Sequence, residues 1–413
     1  MIGKSIESAW LSWEEVSKIC KNRRIIFFGR GEWIRKSMSY LSDDINLDYI
    51  VDNNPYEHGE KQYDLTTKSP EELKLENKDE ILIIITTTSF IEVAEQLISY
   101  GMEAGKDFIV TPSLKNYRLI APINNHDCTI LFTCGDQVND EDDFSGGGLY
   151  SMRLQDPKPK KLISGHCHGL VKGGNKYYLL DDSVGVRVLD KKLNQTDTFE
   201  LPPKSRPHGI AYCEKRDLLF IVLSGNDTVA VYSAKDYKKI GEVVVSDKFE
   251  QLGVAQHHTN DVCVFENSLY LSMISYSGNW IKNIHDGVIV EIDIDTLKIR
   301  GVVVSNLWYP HSPVMIKGNL CYCDSMNGTV HNNNWKTLAS FNGFVRGIAH
   351  DGHYYYVGQS SHRYIDRIEG TTDNISLDTG IYLIEEQSKI TKFFSIPSLV
   401  DLKAILVYEE SNN

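Results

Sequence analysis

Five side chains suited to acid–base chemistry, metal binding or anion binding recur through the C-terminal part of the sequence. Each precedes a short segment rich in β-branched and aromatic residues, and together they are His168, His208, His258, His311 and Arg346. The steps between them are 40, 50, 53 and 35 residues, a spacing typical of four-stranded propeller blades. Because the innermost strands of a propeller converge on its axis, the sequence predicts one central site to which these residues contribute from equivalent positions.

The four histidines are the predicted ligands of a divalent transition metal. Neutral imidazole is a good ligand of Fe, Mn, Ni and Zn, and open coordination positions would admit water or substrate. Two other interpretations stay open, since repeated histidines also suit a metal-free acid–base site or a structural role. A shift of one residue would put His257 in place of His258, and His166 would likewise join His168.

Three further residues are predicted to act on the substrate. Arg346 is suited to hold a carboxylate or phosphate through two parallel hydrogen bonds. Asn260 and Asp261 lie beside His258, where they would hold a ligand or orient an imidazole. For Asp261 a turn or a strand edge is an equally good interpretation. The predicted catalytic residues are therefore Arg346, Asn260 and Asp261.

The elements that position these residues form an all-β unit over residues 121–413. Five repeats follow the five anchoring residues, and a sixth is assembled from the two ends of the unit. Its innermost strand begins at Leu402, and its other three strands lie within residues 128–163. The sequence predicts a six-bladed β-propeller closed by pairing of its first and last strands, with Asp401 or Leu402 in the sixth anchoring position.

Residues 1–120 alternate between strand and helix. The predicted strands are residues 24–28, 47–51, 81–86 and 107–110, and the predicted helices are residues 32–41 and 90–100. Alternation of this kind implies a parallel sheet with crossover helices. The fold class predicted for the whole chain is an α/β Rossmann-like domain followed by the propeller.

The turn after the first strand is a candidate nucleotide site. Gly29 and Gly31 suit the close approach of a diphosphate to backbone N–H groups, and Asp52 at the end of the second strand suits ribose hydroxyls. Ile34 stands where a third glycine is usual, and Glu32 brings negative charge to the position of the phosphate. Binding of a nucleotide or nucleotide sugar, a degenerate structural domain and a hydride-transferring NAD site all stay open.

Four short segments of the N-terminal part carry a resemblance to known proteins. They are residues 27–31 (Phe-Phe-Gly-Arg-Gly), 51–55 (Val-Asp-Asn-Asn-Pro), 69–72 (Ser-Pro-Glu-Glu) and 83–86 (Ile-Ile-Ile-Thr). They resemble the Rossmann-like domains attached to bacterial sugar-modifying enzymes, including sugar acetyltransferases and sugar methyltransferases. The resemblance covers about the first 115 residues and implies a role in surface-glycan metabolism.

Three motifs of the propeller part carry a second resemblance. They are His258-x-Asn260, residues 310–313 (Pro-His-Ser-Pro) and residues 343–349 (Gly-Phe-Val-Arg-Gly-Ile-Ala). They resemble an uncharacterised bacterial family with a propeller-like domain of unknown function, over most of residues 125–410. The matching positions are His258, Asn260, His311, Ser312 and Arg346, and the resemblance implies no reaction.

Composition limits the partners of the protein. The chain of 413 residues has 43 basic and 56 acidic side chains, a formal net charge of −13, and an acidic chain repels the phosphates of nucleic acid. Its eight cysteines lack a disulfide-like spacing, so we expect reduced thiols in a cytoplasmic protein. The expected partner is a small carbohydrate or sugar nucleotide, with neither nucleic acid binding nor membrane insertion.

Two functions of different classes follow from these observations. The first is a metal-centred enzyme that acts on a carbohydrate or sugar nucleotide by elimination, epimerisation or hydrolysis. The alternative is a non-catalytic propeller that binds a glycan or a partner protein, with a degenerate Rossmann domain. The predicted cofactors are a divalent transition metal at the histidines and a nucleotide or nucleotide sugar at the N-terminal domain.

Overall fold

The computed structural model describes residues 6–42, 44–332, 336–368 and 374–409. The chain divides into two compact units after Asn124, close to the boundary predicted at residue 120. Within the described ranges, no helix has the length and apolar composition needed to cross a membrane.

The N-terminal unit contains a six-stranded mixed sheet with helices. Its strands are β1 (Arg24–Phe28), β2 (Leu47–Val51), β3 (Lys61–Gln62), β4 (Leu65–Lys68), β5 (Ile81–Ile85) and β6 (Phe108–Val110), in the spatial order β3-β4-β2-β1-β5-β6. The pairs along β4-β2-β1-β5-β6 are parallel, as predicted, whereas β3 and β4 form an antiparallel hairpin. This hairpin makes the sheet mixed and was not predicted.

The helices of this unit are α1 (Trp13–Ile19), α2 (Glu32–Met38), α3 (Phe90–Ser99) and α4 (Lys115–Asn125), and 3-10 turns span Glu7–Ala9, Pro55–Glu57, Pro70–Leu75 and Pro112–Leu114. Helix α2 ends earlier than predicted, because Tyr40 and Leu41 donate to carbonyls only three residues back and so tighten the last turn. Strand β5 is buried along its whole length, which explains its unbroken apolar sequence.

The C-terminal unit contains six four-stranded sheets within the described residues, which confirms the prediction of a six-bladed propeller. In chain order its strands are β7 (Thr129–Cys134), β8 (Gly148–Arg153), β9 (Asp156–Ser164), β10 (Cys167–Gly173), β11 (Lys176–Asp181), β12 (Gly185–Asp190), β13 (Gln195–Phe199), β14 (Pro207–Cys213), β15 (Leu218–Leu223), β16 (Thr228–Ser233), β17 (Lys239–Val244), β18 (Thr259–Phe265), β19 (Ser268–Met273), β20 (Gly287–Asp293), β21 (Lys298–Leu307), β22 (Pro310–Ile316), β23 (Asn319–Asp324), β24 (Thr329–His331), β25 (Thr337–Ser340), β26 (Phe344–His350), β27 (Tyr354–Ser360), β28 (Gly380–Glu385), β29 (Thr391–Ser395) and β30 (Leu402–Tyr408). Short helices α5 (Lys248–Leu252) and α6 (Ile365–Ile368) and a 3-10 turn (Trp280–Lys282) lie in loops.

Five sheets take their strands from consecutive stretches of chain, and the sixth has the order β30-β7-β8-β9. The innermost strands β10, β14, β18, β22, β26 and β30 each pack against the next, and β30 packs against β10. Apolar side chains fill the layers between adjacent blades, as in the cluster that joins the blades of β14 and β18. The outermost strands β13 and β17 are largely exposed, so the core lies between the inner strands.

All six innermost strands carry a β-bulge at the same place. In each, two residues face a single residue of the neighbouring strand, and the pairs are His168 and Gly169, His208 and Gly209, Asn260 and Asp261, Ser312 and Pro313, Arg346 and Gly347, and Lys403 and Ala404. A bulge bends its strand and redirects side chains. In several blades the second residue of the bulge must be small. A Cβ on Gly209, for example, would lie 2.6 Å from the Cα of Asp261 in the next blade.

Candidate functional site

A cavity of about 240 Å³ lies where the heads of the six innermost strands converge. The structure brings six of the predicted site residues to its wall, and they are His168, His208, His258, Asn260, His311 and Arg346. Asp401 and Lys403 complete the wall from the sixth blade, and Arg206, Arg363 and Asp182 also line it. The repeat in the sequence therefore leads to one site at the axis.

The predicted equivalence of the anchoring residues needs correction. Counted from the bulge, the equivalent residues are His168, His208, Asn260, Ser312, Arg346 and Lys403. His258 lies two residues before this position and His311 one before it, and both still reach the cavity. The sixth position belongs to Lys403 rather than to Asp401 or Leu402, because the bulge in β30 begins after Leu402.

Asp261 does not line the axial cavity, where the sequence places it with the other predicted catalytic residues. It is the second residue of its bulge, and such residues line a separate cavity of about 280 Å³ further along the innermost strands. Its carboxylate accepts the backbone N–H of Ser312 at 2.8 Å, and the Ser312 hydroxyl in turn accepts the N–H of Gly347 at 2.8 Å. Asp261 thus links successive blades.

The surroundings of His208 and His311 determine which ring nitrogen carries the proton. The Nδ1 atom of His208 lies 3.0 Å from the carbonyl of Arg206, and that of His311 lies 2.8 Å from the carbonyl of Tyr309. A carbonyl only accepts hydrogen bonds, so Nδ1 donates and a neutral ring keeps its lone pair on Nε2. Burial, and for His311 then the charge of Arg346, lowers the pKa of both rings well below the usual range.

His168 and His258 complete a row of imidazoles. The ring centroids of His168 and His208 are 5.1 Å apart, those of His208 and His258 are 5.6 Å apart, and His258 packs on Trp280 at 4.5 Å. The buried Nδ1 of His168 has no hydrogen-bond partner. Burial, followed by nearby cations, lowers the pKa of His168, and burial followed by Arg206 lowers that of His258 to about 3.

His257 and His166 are not part of the cavity wall. His257 is satisfied by its surroundings, because its Nδ1 lies 2.9 Å from the carbonyl of Ser275 and its Nε2 lies 2.7 Å from the hydroxyl of Ser246. Its backbone N–H also donates to Asp227. His257 therefore holds loops together, and of the two neighbours it is His258 that reaches the axis.

Arg346 is the most unusual residue of the cavity. Its side chain is only 3% exposed, and its buried Nε has no hydrogen-bond partner. Within the described residues, no carboxylate forms an ion pair with Arg346, because Asp401 pairs with Lys403 and Arg363 instead. A buried guanidinium without an ion pair is costly. Asn260, elsewhere in the wall of the same cavity, also has an unpartnered buried Oδ1.

Lys403 is the site residue that sequence reasoning missed. Its Nζ lies 2.6 Å from the carboxylate of Asp401, whose other oxygen lies 3.1 Å from Arg363. Burial raises the pKa of Asp401, but Lys403, Arg363 and Arg346 outweigh burial and lower it to about 2. The signal in the sequence was a single lysine within an otherwise apolar strand, a position where lysine is rarely buried without a partner.

The charges of the cavity favour an anion. Lys403, Arg346 and Arg363 face one buried carboxylate, that of Asp401. Within the part of the chain that the structure describes, no three His, Cys, Asp or Glu side chains converge as ligands of one ion. The four imidazoles line one cavity, but the positive charges of the neighbouring lysine and arginine side chains repel a metal cation. The metal site stays a prediction.

The predicted nucleotide site lies in the N-terminal unit, where Asp52, which follows β2, is hydrogen-bonded to the turn after β1 that contains Gly29 and Gly31. The Asp52 carboxylate accepts the backbone N–H groups of Arg30 and Asn54, both at 2.8 Å. The guanidinium of Arg30 pairs with Glu57. Gly29 has a φ of 99°, and a Cβ there would lie 2.7 Å from the Cβ of Thr87. The polar groups of this turn are thus largely paired with one another.

The fold and the site define the class of this protein as a six-bladed β-propeller with a polar axial cavity, preceded by an α/β unit. The sequence profile of a domain of unknown function (DUF4915) matches residues 237–402. This range holds His258, Asn260, His311 and Arg346 of the cavity. No curated protein matches the sequence significantly.

Several solved structures are similar in backbone. A chain of the nidogen/laminin complex is 13% identical, with 69% of this chain and 99% of that chain covered and a TM-score of 0.46. A protein of unknown function from Bacteroides caccae is 11% identical, with 68% and 100% covered and a TM-score of 0.46. A luciferin-regenerating enzyme is 12% identical, with 57% and 75% covered and a TM-score of 0.39. Similarities this distant carry no information about ligands.

Proposed function

We propose that this protein is an enzyme that removes a proton next to the carboxylate of a small acidic sugar, and so catalyses an elimination or an epimerisation. The observation that carries the proposal is Arg346, a buried guanidinium without an ion pair at the wall of the axial cavity. A carboxylate of the substrate would supply the missing counter-charge through two parallel hydrogen bonds. Lys403 adds a second positive charge at the same place.

The neutral imidazoles supply the base. In His208 and His311 the carbonyl partners of Nδ1 leave the lone pair on Nε2, and burial keeps the rings unprotonated near neutral pH. A proton on the carbon beside a carboxylate becomes more acidic when the developing negative charge is stabilised by cations. Arg346 and Lys403 are placed to do this.

A sugar suits the remaining surface of the cavity. Its wall is rich in hydrogen-bonding side chains, including Asn260 with its unpartnered Oδ1 and His168 with its unpartnered Nδ1. Its volume of about 240 Å³ is smaller than the roughly 300–1,000 Å³ of pockets that bind drug-sized ligands. A single ring with hydroxyl groups and one carboxylate matches both properties.

Proton exchange with solvent tests this proposal without knowledge of the product. Hexuronates and aldonates are incubated with the protein in D₂O, and proton NMR follows the signal of the carbon next to the carboxylate. We expect loss of that signal for at least one acid, little loss with His208→Asn or His311→Asn, and full exchange with the exposed control His353→Gln. Binding of the acids without any exchange would favour the non-catalytic alternative.

A metal-centred version of this enzyme is the second candidate. The observation that favours it is the hydrogen bonding of His208 and His311, whose Nδ1 atoms donate to backbone carbonyls. A histidine that binds a metal through Nε2 usually makes such a hydrogen bond with its other ring nitrogen. Elemental analysis of untagged protein, purified without chelator, distinguishes the two versions. About one equivalent of a transition metal, lost in the double variant His258→Ala and His311→Ala, would support the metal version, and a metal-free protein with full exchange activity would refute it.

For the N-terminal unit we propose a Rossmann-like domain that has lost nucleotide binding. The parallel strand order β4-β2-β1-β5-β6 supports the fold, and the engagement of Asp52 with two backbone N–H groups supports the loss. Calorimetric titration with nucleotides and sugar nucleotides tests this. Tight binding that Gly31→Val abolishes would overturn the proposal and restore a nucleotide site.

A further inference from the structure

Lys403 occupies a special position among the lysines of the propeller. It is the first residue of the bulge in β30, and its side chain is only 8% exposed. It lines both the axial cavity and the neighbouring cavity of about 280 Å³. The residue is therefore enclosed by protein and at the same time borders two cavities.

Two other lysines with low exposure show what a structural role looks like. The Nζ of Lys248 donates to the carbonyls of Ser277 and Gly278, and that of Lys161 donates to the carbonyls of Asn139 and Asp142. Both amines are held by backbone oxygens. Lys403 instead has Asp401 as its partner, and Arg363 shares that carboxylate.

The charge of Lys403 is poorly compensated. Burial, and then the charge of Arg346, lowers its pKa to about 8, against the opposing effect of Asp401. A neutral amine is thus present at mildly alkaline pH in a cavity that holds a second cation. Lysines with these surroundings are the ones that act as nucleophiles towards carbonyl groups.

We propose that the Nζ of Lys403 forms an imine with a 2-oxo acid, or with a sugar acid that carries a ketone beside its carboxylate, while Arg346 holds the carboxylate. This inference rests on one part of the proposed function, the binding of a carboxylate in the axial cavity. It adds a nucleophile and a 2-oxo acid as substrate, in which the carbon that loses a proton is the one beyond the imine carbon and not the one that bears the carboxylate.

The step balances without an oxidant or a further reactant. The lone pair of the neutral amine attacks the carbonyl carbon, and one N–H proton passes to the carbonyl oxygen to give a carbinolamine. The nitrogen lone pair then expels the hydroxyl group, which takes a proton from solvent and leaves as water, so that a protonated imine remains. This cation accepts the electron pair that stays behind when an imidazole, such as that of His208 or His311, removes a proton from the carbon beyond the imine carbon.

Reductive trapping tests the inference on the unaltered protein. The full-length chain is incubated with pyruvate, the simplest 2-oxo acid, and sodium cyanoborohydride at pH 8, and peptides are mapped by mass spectrometry. We expect one carboxyethyl group, on Lys403, with at least about tenfold preference over any other lysine. Omission of cyanoborohydride should leave no stable adduct.

Variants identify the contribution of each cation. Lys403→Arg keeps the positive charge and should remove the adduct, Arg346→Met should reduce labelling of Lys403 by about tenfold or more, and Lys248→Met should leave it unchanged. Even labelling of exposed lysines, without preference for Lys403, would overturn the inference.

A parallel measurement separates this inference from the proposed function. Thermal unfolding is followed with pyruvate and with lactate, which carries a hydroxyl in place of the ketone. Stabilisation by both acids that depends on Arg346, without labelling of Lys403, would overturn the imine and leave the carboxylate site standing. Absence of stabilisation together with absence of labelling would overturn both.

Discussion

Two regions carry residues that the sequence predicts to bind ligands, namely the axial cavity of the propeller and the turn after β1 in the N-terminal unit. They differ in whether the polar groups of those residues have partners within the protein. In the turn, Asp52 accepts two backbone N–H groups and Arg30 pairs with Glu57. In the cavity, Arg346 and Asn260 keep buried polar atoms without partners.

This difference indicates where the fold has left a place for a ligand. Buried polar groups are almost always hydrogen-bonded, and each exception needs an explanation. A charged group that lacks a partner in a cavity is explained by a ligand of opposite charge, whereas a carboxylate that organises a turn needs no ligand. The comparison predicts that cavity substitutions change binding and turn substitutions change stability.

The largest effect is expected at Asp401. Asp401→Asn leaves Lys403 buried without its counter-charge, and removal of one member of a buried ion pair costs about 3–5 kcal/mol. Urea unfolding of the variant and the wild type measures the difference in the free energy of unfolding. A loss below about 1 kcal/mol would mean that the pair is effectively solvated.

Arg346→Met sharpens the comparison, because it should separate stability from binding. The substitution removes an unpaired buried charge, so we expect the free energy of unfolding to stay unchanged or to rise by about 1 kcal/mol or more. Affinity for an acidic sugar should fall by about 10- to 100-fold. Loss of stability together with unchanged affinity would show that Arg346 is a structural residue.

The stability of the propeller should fall with acidity. His258 has a folded pKa of about 3, below the unfolded value of about 6.5, so between these pH values the unfolded state binds the extra proton. The contribution of the neutral His258 ring to the free energy of unfolding is complete above pH 6.5. It decreases by about 1.4 kcal/mol per pH unit as the pH falls towards 3. Unfolding at several pH values, with His258→Gln for comparison, should show a shallower dependence in the variant. Equal slopes would contradict the assignment of a neutral ring with a lowered pKa.

The smallest effect is expected in the N-terminal turn. Asp52→Ala removes the acceptor of two backbone N–H groups and should lower the free energy of unfolding by about 1 kcal/mol. Binding of acidic sugars by the full chain should not change. Asp52→Asn keeps one side-chain acceptor and should recover part of the loss. An effect of Asp52→Ala on the affinity for acidic sugars would break the distinction between the two regions.

The sequence was sufficient to predict the six blades and six residues of the cavity wall, because repeated anchoring residues reveal the spacing of the strands. The bulge was not predictable, since a glycine follows His168, His208 and Arg346 but not Asn260 or Ser312. The repeats were therefore aligned on their histidines rather than on the bulge, and Lys403 was missed in the sixth blade.

Two other failures have similar physical causes. Asp261 was predicted beside Asn260 at the catalytic centre, but Asn260 lines the axial cavity whereas Asp261 lines the other one. Strands β3 and β4 have only two and four residues, too few for a periodic pattern to indicate them. Charge pairing across blades, which decides the character of the cavity, depends on contacts between residues far apart in the sequence.

The central claim is that Arg346 gives the axial cavity its affinity for a carboxylate. Isothermal titration of galacturonate and galactose, which differ in that one group, into the wild type and Arg346→Met measures it most directly. We expect the wild type to bind galacturonate at least about tenfold more tightly than galactose and the variant to lose this preference. Equal affinity of the wild type for the two sugars, or an unchanged preference in Arg346→Met, would contradict it.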